Sequence, residues 1–260
     1  MRYVILLALV VFLSTDTMAQ IKWPGNKKSV IVLTYDDALL SQLNVAIPQL
    51  DKHKFKGTFF LDGRLQEADV ARWREAAKDG HELANHSLYH PCSERAFKNR
   101  ARLYSETYDV PSILADIQTM NKILFMIDGK KNIRTYAYPC TETVVGEKDY
   151  TDSLKRSKLV SYARIGGGSE AIITSKTIPD NLHVPSYGLQ DGTKSDDLIA
   201  YTKRVQDAGG MGVIMFHGVG GDYITVSKED HAKLLEYLAT HKDIWVATFQ
   251  EAMDWLAKQR

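Results

Sequence analysis

Two histidines stand four residues apart in NHSLYHP, which runs from Asn85 to Pro91. Spacing alone is weak evidence, because such pairs arise by chance and often lie on a solvated helix. On one turn of helix, however, His86 and His90 would share a face. Two neutral imidazoles suit Zn²⁺ or a similar metal. The stretch therefore raises the hypothesis of a metal site, which needs a third ligand from elsewhere in the chain.

Two adjacent acids can supply that ligand. Asp36 and Asp37 directly follow the apolar run SVIVLTY. A purely structural pair would be costly, because both carboxylates would be partly desolvated beside a like charge. Neighbours in an extended segment point opposite ways, so we expect one acid to bind the metal and the other to handle protons. With His217 as a further acid–base group, this is the equipment for metal-assisted hydrolysis.

The hydrophobic pattern predicts the scaffold that brings these residues together. Apolar runs predict strands at 29–35, 57–61, 81–85, 134–139, 159–164, 182–187, 212–217 and 244–249. Helical periods alternate with them at 43–52, 70–78, 112–126, 196–208, 228–240 and 250–258, with Asp69 and Ser227 as candidate N-caps. This alternation indicates parallel strands joined by right-handed crossovers. Seven or eight such units favour one α/β domain with a closed or nearly closed barrel.

The acids and histidines occupy equivalent places in this scaffold. Each comes at the end of a predicted strand or directly after it. Because the carboxyl ends of parallel strands share one face of a barrel, we expect the side chains to converge there. The polar segment Cys92–Val110 has no apolar period and follows the histidine pair, so it is either a solvated loop or the rim of the site.

Composition and charge exclude few classes of function, and they give no indication of a polyanionic partner. The chain has 260 residues and a formal net charge of +1, which gives no indication of nucleic-acid binding. The N-terminus is distinctive, with Arg2, an apolar run from Tyr3 to Leu13, and small residues ending at Ala19. We interpret 1–19 as a signal peptide and 20–260 as the exported domain, periplasmic or secreted. The apolar run is short for a membrane span, so we expect no stable membrane insertion after cleavage.

Four segments, in this order, resemble the motifs of the polysaccharide deacetylase family (NodB homology domain, carbohydrate esterase family 4). They are TYDDA, HELANHSLYHP, TYAYPCT and IMFHGV, and the resemblance runs from about Ser29 to Trp255. It implies a distorted (β/α)7 barrel that removes acetyl groups from carbohydrate. It also implies one divalent metal, for which Zn²⁺ is favoured and Co²⁺, Ni²⁺ and Mn²⁺ are alternatives.

The resemblance implies a role for each matching position. Asp36 matches the catalytic base and His217 the acid that protonates the leaving group. Cys140 matches the residue whose backbone N–H faces the oxyanion, a role that does not depend on its side chain. The metal ligands implied are Asp37, His86 and His90, and the substrate-binding candidates are Tyr138, Pro139, Arg164 and Tyr187. Tyr89 and Tyr223 join Tyr138 and Tyr187 as candidates for stacking on a sugar ring, with core packing expected for at least two of the four.

The chain departs from the family pattern at an arginine. Many members carry an arginine two residues before the third-motif proline, where it pairs with the catalytic aspartate, but this chain has Ala137 there. Without a replacement cation, the pKa of Asp36 should be higher than in those members. Arg164 is the candidate replacement, and a solvated surface arginine is the alternative. The family motif whose acid supports the proton-donating histidine has no clear match, and Asp180 is the acid nearest to the sixth predicted strand.

The two cysteines, Cys92 and Cys140, follow the histidine motif and the third-motif proline. We therefore expect both on loops at the active face. One hypothesis is a disulfide that braces the cleft, which an exported protein allows. The alternative is two free thiols too far apart to join.

Three functions follow from these residues. The first is N-deacetylation of N-acetylated amino sugars, and the second is O-acetyl ester hydrolysis, as on xylan. The third is a non-catalytic carbohydrate-binding protein on the same scaffold, motivated by the missing arginine. Retention of the base, the acid and the ligand set argues against the third.

Overall fold

The computed structural model describes residues 21–98 and 103–259. The interpretation of 1–19 as a signal peptide falls outside the described residues. The strands are β1 (Ser29–Asp36), β2 (Thr58–Leu61), β3 (Glu82–Asn85), β4 (Arg134–Ala137), β5 (Val144–Val145), β6 (Lys148–Asp149), β7 (Val160–Ile165), β8 (Ile172–Ile173), β9 (Val184–Pro185), β10 (Tyr187–Gly188), β11 (Met211–Phe216) and β12 (Ile244–Ala247). The helices are α1 (Ile47–Lys52), α2 (Val70–Lys78), α3 (Val110–Asp128), α4 (Thr151–Ser157), α5 (Ser195–Asp207), α6 (Lys228–Thr240) and α7 (Phe249–Ala257).

A single sheet forms the centre of the molecule, in the order β10-β11-β1-β2-β3-β4-β7-β9. The pairs along this path are parallel, whereas the short strand β8 lies antiparallel to β11. β12 pairs with the first half of β1 and β2 with its second half. The terminal strands β9 and β10 are separated only by Ser186, so the chain itself links the two edges of the sheet. The sheet is a nearly closed barrel, and the predicted distorted (β/α)7 fold is confirmed.

The alternation of side chains along β1 divides the core. Ile31, Leu33 and Tyr35 pack in the cluster between the sheet and the helices. Val30 and Val32 belong to a second cluster that takes side chains from most strands of the barrel and is completed by α7. Because side chains alternate with a period of two, Asp36 continues the row of Val30 and Val32 toward the barrel interior. The site therefore begins where the interior apolar packing ends.

The local predictions were confirmed in part. Ser227 caps α6 by accepting a hydrogen bond from Asp230 N, as predicted, but Asp69 makes no cap bond and instead pairs with Arg72 at 3.1 Å. Helix α4 and the β5–β6 hairpin were not predicted. Helix α4 buries only Thr151 and Leu154, so its apolar period is too weak to predict a helix. Among the described helices, none is long and apolar enough to span a membrane.

Candidate active site

Three predicted metal ligands meet at the carboxyl ends of β1 and β3. Asp37 Oδ1 lies 3.5 Å from His86 Nε2 and 3.4 Å from His90 Nε2, and the two imidazole nitrogens are 3.1 Å apart. Asp37 and His86 are 4% and 2% exposed, so both are largely desolvated. The convergence expected from strand ends in a barrel is confirmed.

The stretch from His86 to His90 is a turn rather than the expected turn of helix. Ser87 and His90 take left-handed backbone conformations, with φ of 60° and 50°. The turn is fixed by Asn85 Oδ1, which accepts from Ser87 N at 2.7 Å, and by Ser87 Oγ, which accepts from His90 N at 3.0 Å. The prediction of a shared helical face is therefore wrong, although the turn still directs both imidazoles at Asp37.

The geometry and charge of these ligands fit a divalent metal. Tetrahedral ligands with bonds of about 2.1 Å lie about 3.4 Å from each other, which matches the separations of 3.1, 3.4 and 3.5 Å. His86 Nδ1 lies 2.8 Å from Ala137 O. A carbonyl only accepts, so this nitrogen carries the proton and Nε2 keeps its lone pair. Three protein ligands leave a position open, as in catalytic zinc sites.

Burial and mutual contacts keep the ligands in the protonation states that a metal requires. Burial lowers the pKa of His86 and of His90 to about 3, so both imidazoles are neutral near pH 7. Burial alone would raise the pKa of Asp37, but His90, His86 and Arg64 together hold it well below the ordinary range. The third ligand is thus a carboxylate.

Asp36 pairs with a buried arginine. The Nη2 group of Arg164 donates to Asp36 Oδ2, its Nη1 donates to Ser186 Oγ at 3.2 Å, and its guanidinium lies over the ring of Phe60. Arg164 is 1% exposed. The prediction that Arg164 replaces the cation missing at Ala137 is confirmed. The surface alternative is wrong, because the head group is buried against Asp36. Substrate binding by Arg164 stays a prediction.

The second oxygen of Asp36 is open. Asp36 Oδ1 accepts no hydrogen bond from any described residue, although it is buried. Burial raises the pKa of Asp36, and the opposing effects of Arg164 and His217 are smaller. A buried carboxylate with a free lone pair and a raised pKa is suited to accept a proton.

His217 lies near Oδ2 of Asp37, whereas His86 and His90 face Oδ1. Its Nε2 is 3.8 Å from Asp37 Oδ2. Its Nδ1 is buried and has no hydrogen-bond partner among the described residues. Asp180, the acid considered as its support, is half-exposed and lies near His183 at 3.6 Å and Lys155 at 3.7 Å. Asp180 is therefore not the partner of His217.

Cys92 and Cys140 form a disulfide with a Cα–Cα distance of 5.7 Å, so the bridging hypothesis is confirmed and the free-thiol alternative is wrong. The bridge joins the end of the histidine loop to the turn Pro139–Thr141. In that turn Cys140 has a φ of 52°. Glu142 joins the same two loops, because it accepts from Ser93 N at 2.8 Å. These links hold the loop of His90 against the turn that the resemblance assigns to the oxyanion.

The substrate-binding candidates divide by exposure. Tyr138 is 1% exposed and packs with the rings of Tyr136 and Tyr150, so the interpretation that it stacks on a sugar is wrong. Pro139 is buried in its turn. Tyr187 is half-buried, and its ring packs on Tyr201 of α5. The candidates that keep exposed rings are Tyr89 and Tyr223, at 49% and 42%.

Sequence reasoning missed several residues that shape the site. Asp62 and Arg64 follow the end of β2, much as Asp36 ends β1 and Asp37 follows it, and this similar placement was the available signal. Arg64 Nη2 contacts Asp37 Oδ1 at 2.5 Å. Asp116 of α3 accepts hydrogen bonds from Leu88 N and from Tyr89 N, which supports the histidine turn. No local pattern marks Asp116, because it lies in the middle of a helix.

The chain belongs to the polysaccharide deacetylase family. Residues 24–156, about half of the chain, match the family model described as "Polysaccharide deacetylase". Among curated proteins, the peptidoglycan-N-acetylmuramic acid deacetylase PdaA of Bacillus subtilis is 27% identical over 110 residues, which cover 42% of this chain and 37% of that protein. Two further curated relatives are covered less, at 15% and 7% of their length.

Solved structures confirm the fold. A putative polysaccharide deacetylase from Mycobacterium smegmatis has a TM-score of 0.68 at 17% identity, with 93% of this chain and 94% of that chain covered. A family 4 acetyl xylan esterase from Clostridium thermocellum, in complex with a cobalt ion, has a TM-score of 0.55 at 20% identity, with coverage of 85% and 89%. A family 4 pseudoenzyme from Bacillus anthracis has a TM-score of 0.54 at 18% identity, with coverage of 87% and 65%.

Proposed function

We propose that this chain is a metal-dependent hydrolase that removes acetyl groups from carbohydrate, with N-acetylated amino sugars as its preferred substrates. The observation that carries the proposal is the meeting of Asp37, His86 and His90, with ligand atoms 3.1 to 3.5 Å apart, beside the open oxygen of Asp36. Similarity to the muramic acid deacetylase PdaA supports an N-acetyl substrate.

Four residues of the chain have separate roles in the proposed reaction. A bound divalent metal supplies the positive charge that polarises the acetyl carbonyl and acidifies water. Asp36 Oδ1 takes the proton of the attacking water, while Arg164 holds Oδ2 and fixes the carboxylate. His217 protonates the leaving nitrogen. The backbone N–H of Cys140 donates to the oxyanion of the tetrahedral intermediate.

Two nitrogens and one carboxylate oxygen suit Zn²⁺, with Co²⁺, Ni²⁺ and Mn²⁺ as alternatives. We further propose that the protein acts outside the cytoplasm, as a periplasmic or secreted enzyme. The signal-like pattern of residues 1–19 supports this location. The disulfide also supports it, since such bonds persist in oxidising compartments.

O-acetyl ester hydrolysis is the second candidate, and similarity to the acetyl xylan esterase supports it. A binding-only protein is less favoured, although one similar structure is a pseudoenzyme. Binding alone requires neither a buried carboxylate with an open oxygen nor an imidazole placed across the ligand set.

Acetate release tests the proposal. N-acetylchitooligosaccharides and acetylated xylan are assayed in parallel with metal-loaded wild type, chelator-treated wild type and Asp36→Ala. Asp180→Asn, which changes an exposed acid outside the site, is the matched control. We expect release that needs both the metal and Asp36, with the chitooligosaccharide preferred. Faster release from xylan would favour the esterase, and no release from either substrate by metal-loaded protein would contradict both.

A further inference from the structure

Two side chains with no place in the proposed reaction hold the metal-binding carboxylate. Arg64 Nη2 lies 2.5 Å from Asp37 Oδ1, the oxygen that also faces His86 and His90. Tyr223 donates its hydroxyl to Asp37 Oδ2 at 2.6 Å. Each carboxylate oxygen therefore has its own contact, one with a cation and one with a neutral hydroxyl.

Arg64 is fixed rather than free to swing. Its Nε donates to Asp62 Oδ2 at 2.6 Å, its backbone N donates to Asp62 Oδ1 at 2.9 Å, and its Nη1 donates to Tyr223 OH at 2.6 Å. Asp62 is fully buried, so the anchor of the guanidinium is rigid. Because the guanidinium is held through Nε and Nη1, little freedom remains to be lost when it contacts Asp37.

The contacts reach Asp37 from both sides. Arg64 follows β2, and Tyr223 follows β11. These two strands flank β1, whose end carries Asp37. The orientation of the carboxylate is thus set by the neighbouring strand ends in addition to its own backbone.

The two contacts differ in what they do to a cation bound by Asp37. A neutral hydroxyl orients the carboxylate without adding charge, and such supporting hydrogen bonds raise metal affinity. A guanidinium also orients the carboxylate, but it repels any cation that shares Oδ1. Solvent screens this repulsion in part, because the Arg64 side chain is 46% exposed, whereas Asp37 is 4% exposed.

We propose that Arg64 and Tyr223 are positioning residues that set the metal affinity of Asp37 in opposite directions: Tyr223 strengthens metal binding and Arg64 limits it. A carboxylate shared with a guanidinium neutralises less of the charge of a bound cation, which leaves more of that charge for the acetyl group. The inference rests on the metal site of the proposed function.

Metal affinity of the purified protein tests the pair. Zn²⁺ is titrated into metal-free protein against a chromophoric chelator, at one pH and ionic strength. We expect Tyr223→Phe to weaken binding by about tenfold, and Arg64→Gln to strengthen it by a similar factor. Arg64→Lys keeps the positive charge, so its affinity should not exceed that of wild type. Arg64→Met gives the same loss of charge if Arg64→Gln does not fold.

The controls are a tyrosine and an arginine of similar exposure outside the contact. Tyr89→Phe changes an exposed tyrosine on the histidine loop, and Arg72→Gln removes the charge of an arginine that pairs with Asp69. Neither should change the affinity. Circular dichroism and melting without metal establish that each variant is folded.

The outcomes separate this inference from the proposed function. If wild type binds Zn²⁺ one to one but Arg64→Gln binds it equally or more weakly, the charge argument is overturned. If Tyr223→Phe binds as wild type does, the orienting role is overturned. If folded wild type binds no divalent metal, the proposed function and the inference fail together.

Discussion

Asp36 is buried and Glu82 is half-buried, and these two acids lie at opposite ends of the barrel and differ in how their oxygens are used. Glu82 begins β3, at the amino end of the strands. It accepts hydrogen bonds from Thr58 Oγ1 at 2.8 Å, from Gln250 N at 2.9 Å and from the hydroxyl of Thr135. Asp36 ends β1, with one oxygen held by Arg164 and the other without a donor among the described residues.

The histidines show the same difference. His231 lies in α6, and both of its ring nitrogens have hydrogen-bond partners. These are Tyr35 OH at 2.8 Å and Gln49 Oε1 at 2.7 Å. His86 uses only Nδ1 on a backbone carbonyl, and its Nε2 is directed at His90 and Asp37. Burial lowers the pKa of both histidines to about 3, so the pKa does not distinguish them. Within this pair, the functional histidine differs from the structural one in the direction of its second nitrogen, because Nε2 of His86 faces His90 and Asp37.

Substitution of the two acids gives the largest expected effect. Asp36→Asn removes the proton acceptor, so kcat for acetate release should fall by about 10² to 10⁴. Glu82→Gln should leave kcat of the folded protein within a few-fold of wild type. It should lower the free energy of unfolding by about 1 to 3 kcal/mol, because buried donors lose their acceptor. Steady-state kinetics and urea denaturation of both metal-loaded variants measure the pair. Loss of kcat in folded Glu82→Gln would break the comparison.

The two buried arginines, Arg164 and Arg134, extend the comparison to the pH dependence of activity. Arg164 favours the charged form of Asp36, so Arg164→Gln raises the pKa of Asp36 further above its ordinary value. A base acts only when unprotonated, so activity rises with pH through this pKa. The acid limb of the kcat profile should therefore move to higher pH.

Arg134 provides the matched control. It pairs with Asp128 at the amino end of β4 and is 4% exposed. Arg134→Gln should reduce stability without moving the acid limb. Equal profiles for wild type and Arg164→Gln would show that the pair at the carboxyl end is structural as well.

The scaffold could be predicted because its signal is local. Each of the eight predicted strand segments contains strand in the structure, since continuous apolar runs and helical periods report burial directly. Helix α4 was not predicted, because its residues are mostly polar and few of them are buried. The turn at His86–His90 was not predicted, because i, i+4 spacing is compatible with a helix. Nothing in the spacing indicates that Ser87 and His90 take left-handed conformations.

The ligands of the site could be predicted from motif resemblance and strand ends, but most of their supports could not. Arg164 lies 128 residues from Asp36, and Tyr223 lies 186 residues from Asp37. Such contacts depend on which strands become neighbours and on side-chain direction, and neither is written in a local pattern. Arg164 was predicted only because the family pattern left Asp36 without a cation.

The last expected effect is on stability alone and concerns His231, the histidine with both nitrogens occupied. Burial lowers its folded pKa to about 3, whereas the unfolded value is about 6.5. Between these values the unfolded chain binds more protons, so the free energy of unfolding falls as pH drops from about 6.5 to about 3. One histidine contributes at most about 1.4 kcal/mol per pH unit to this slope. His231→Gln should flatten the slope in metal-free protein, whereas His183→Gln, which changes a half-exposed histidine, should not. Equal slopes for wild type and His231→Gln would mean that His231 is protonated within the fold, and that occupied nitrogens do not mark a neutral structural histidine here.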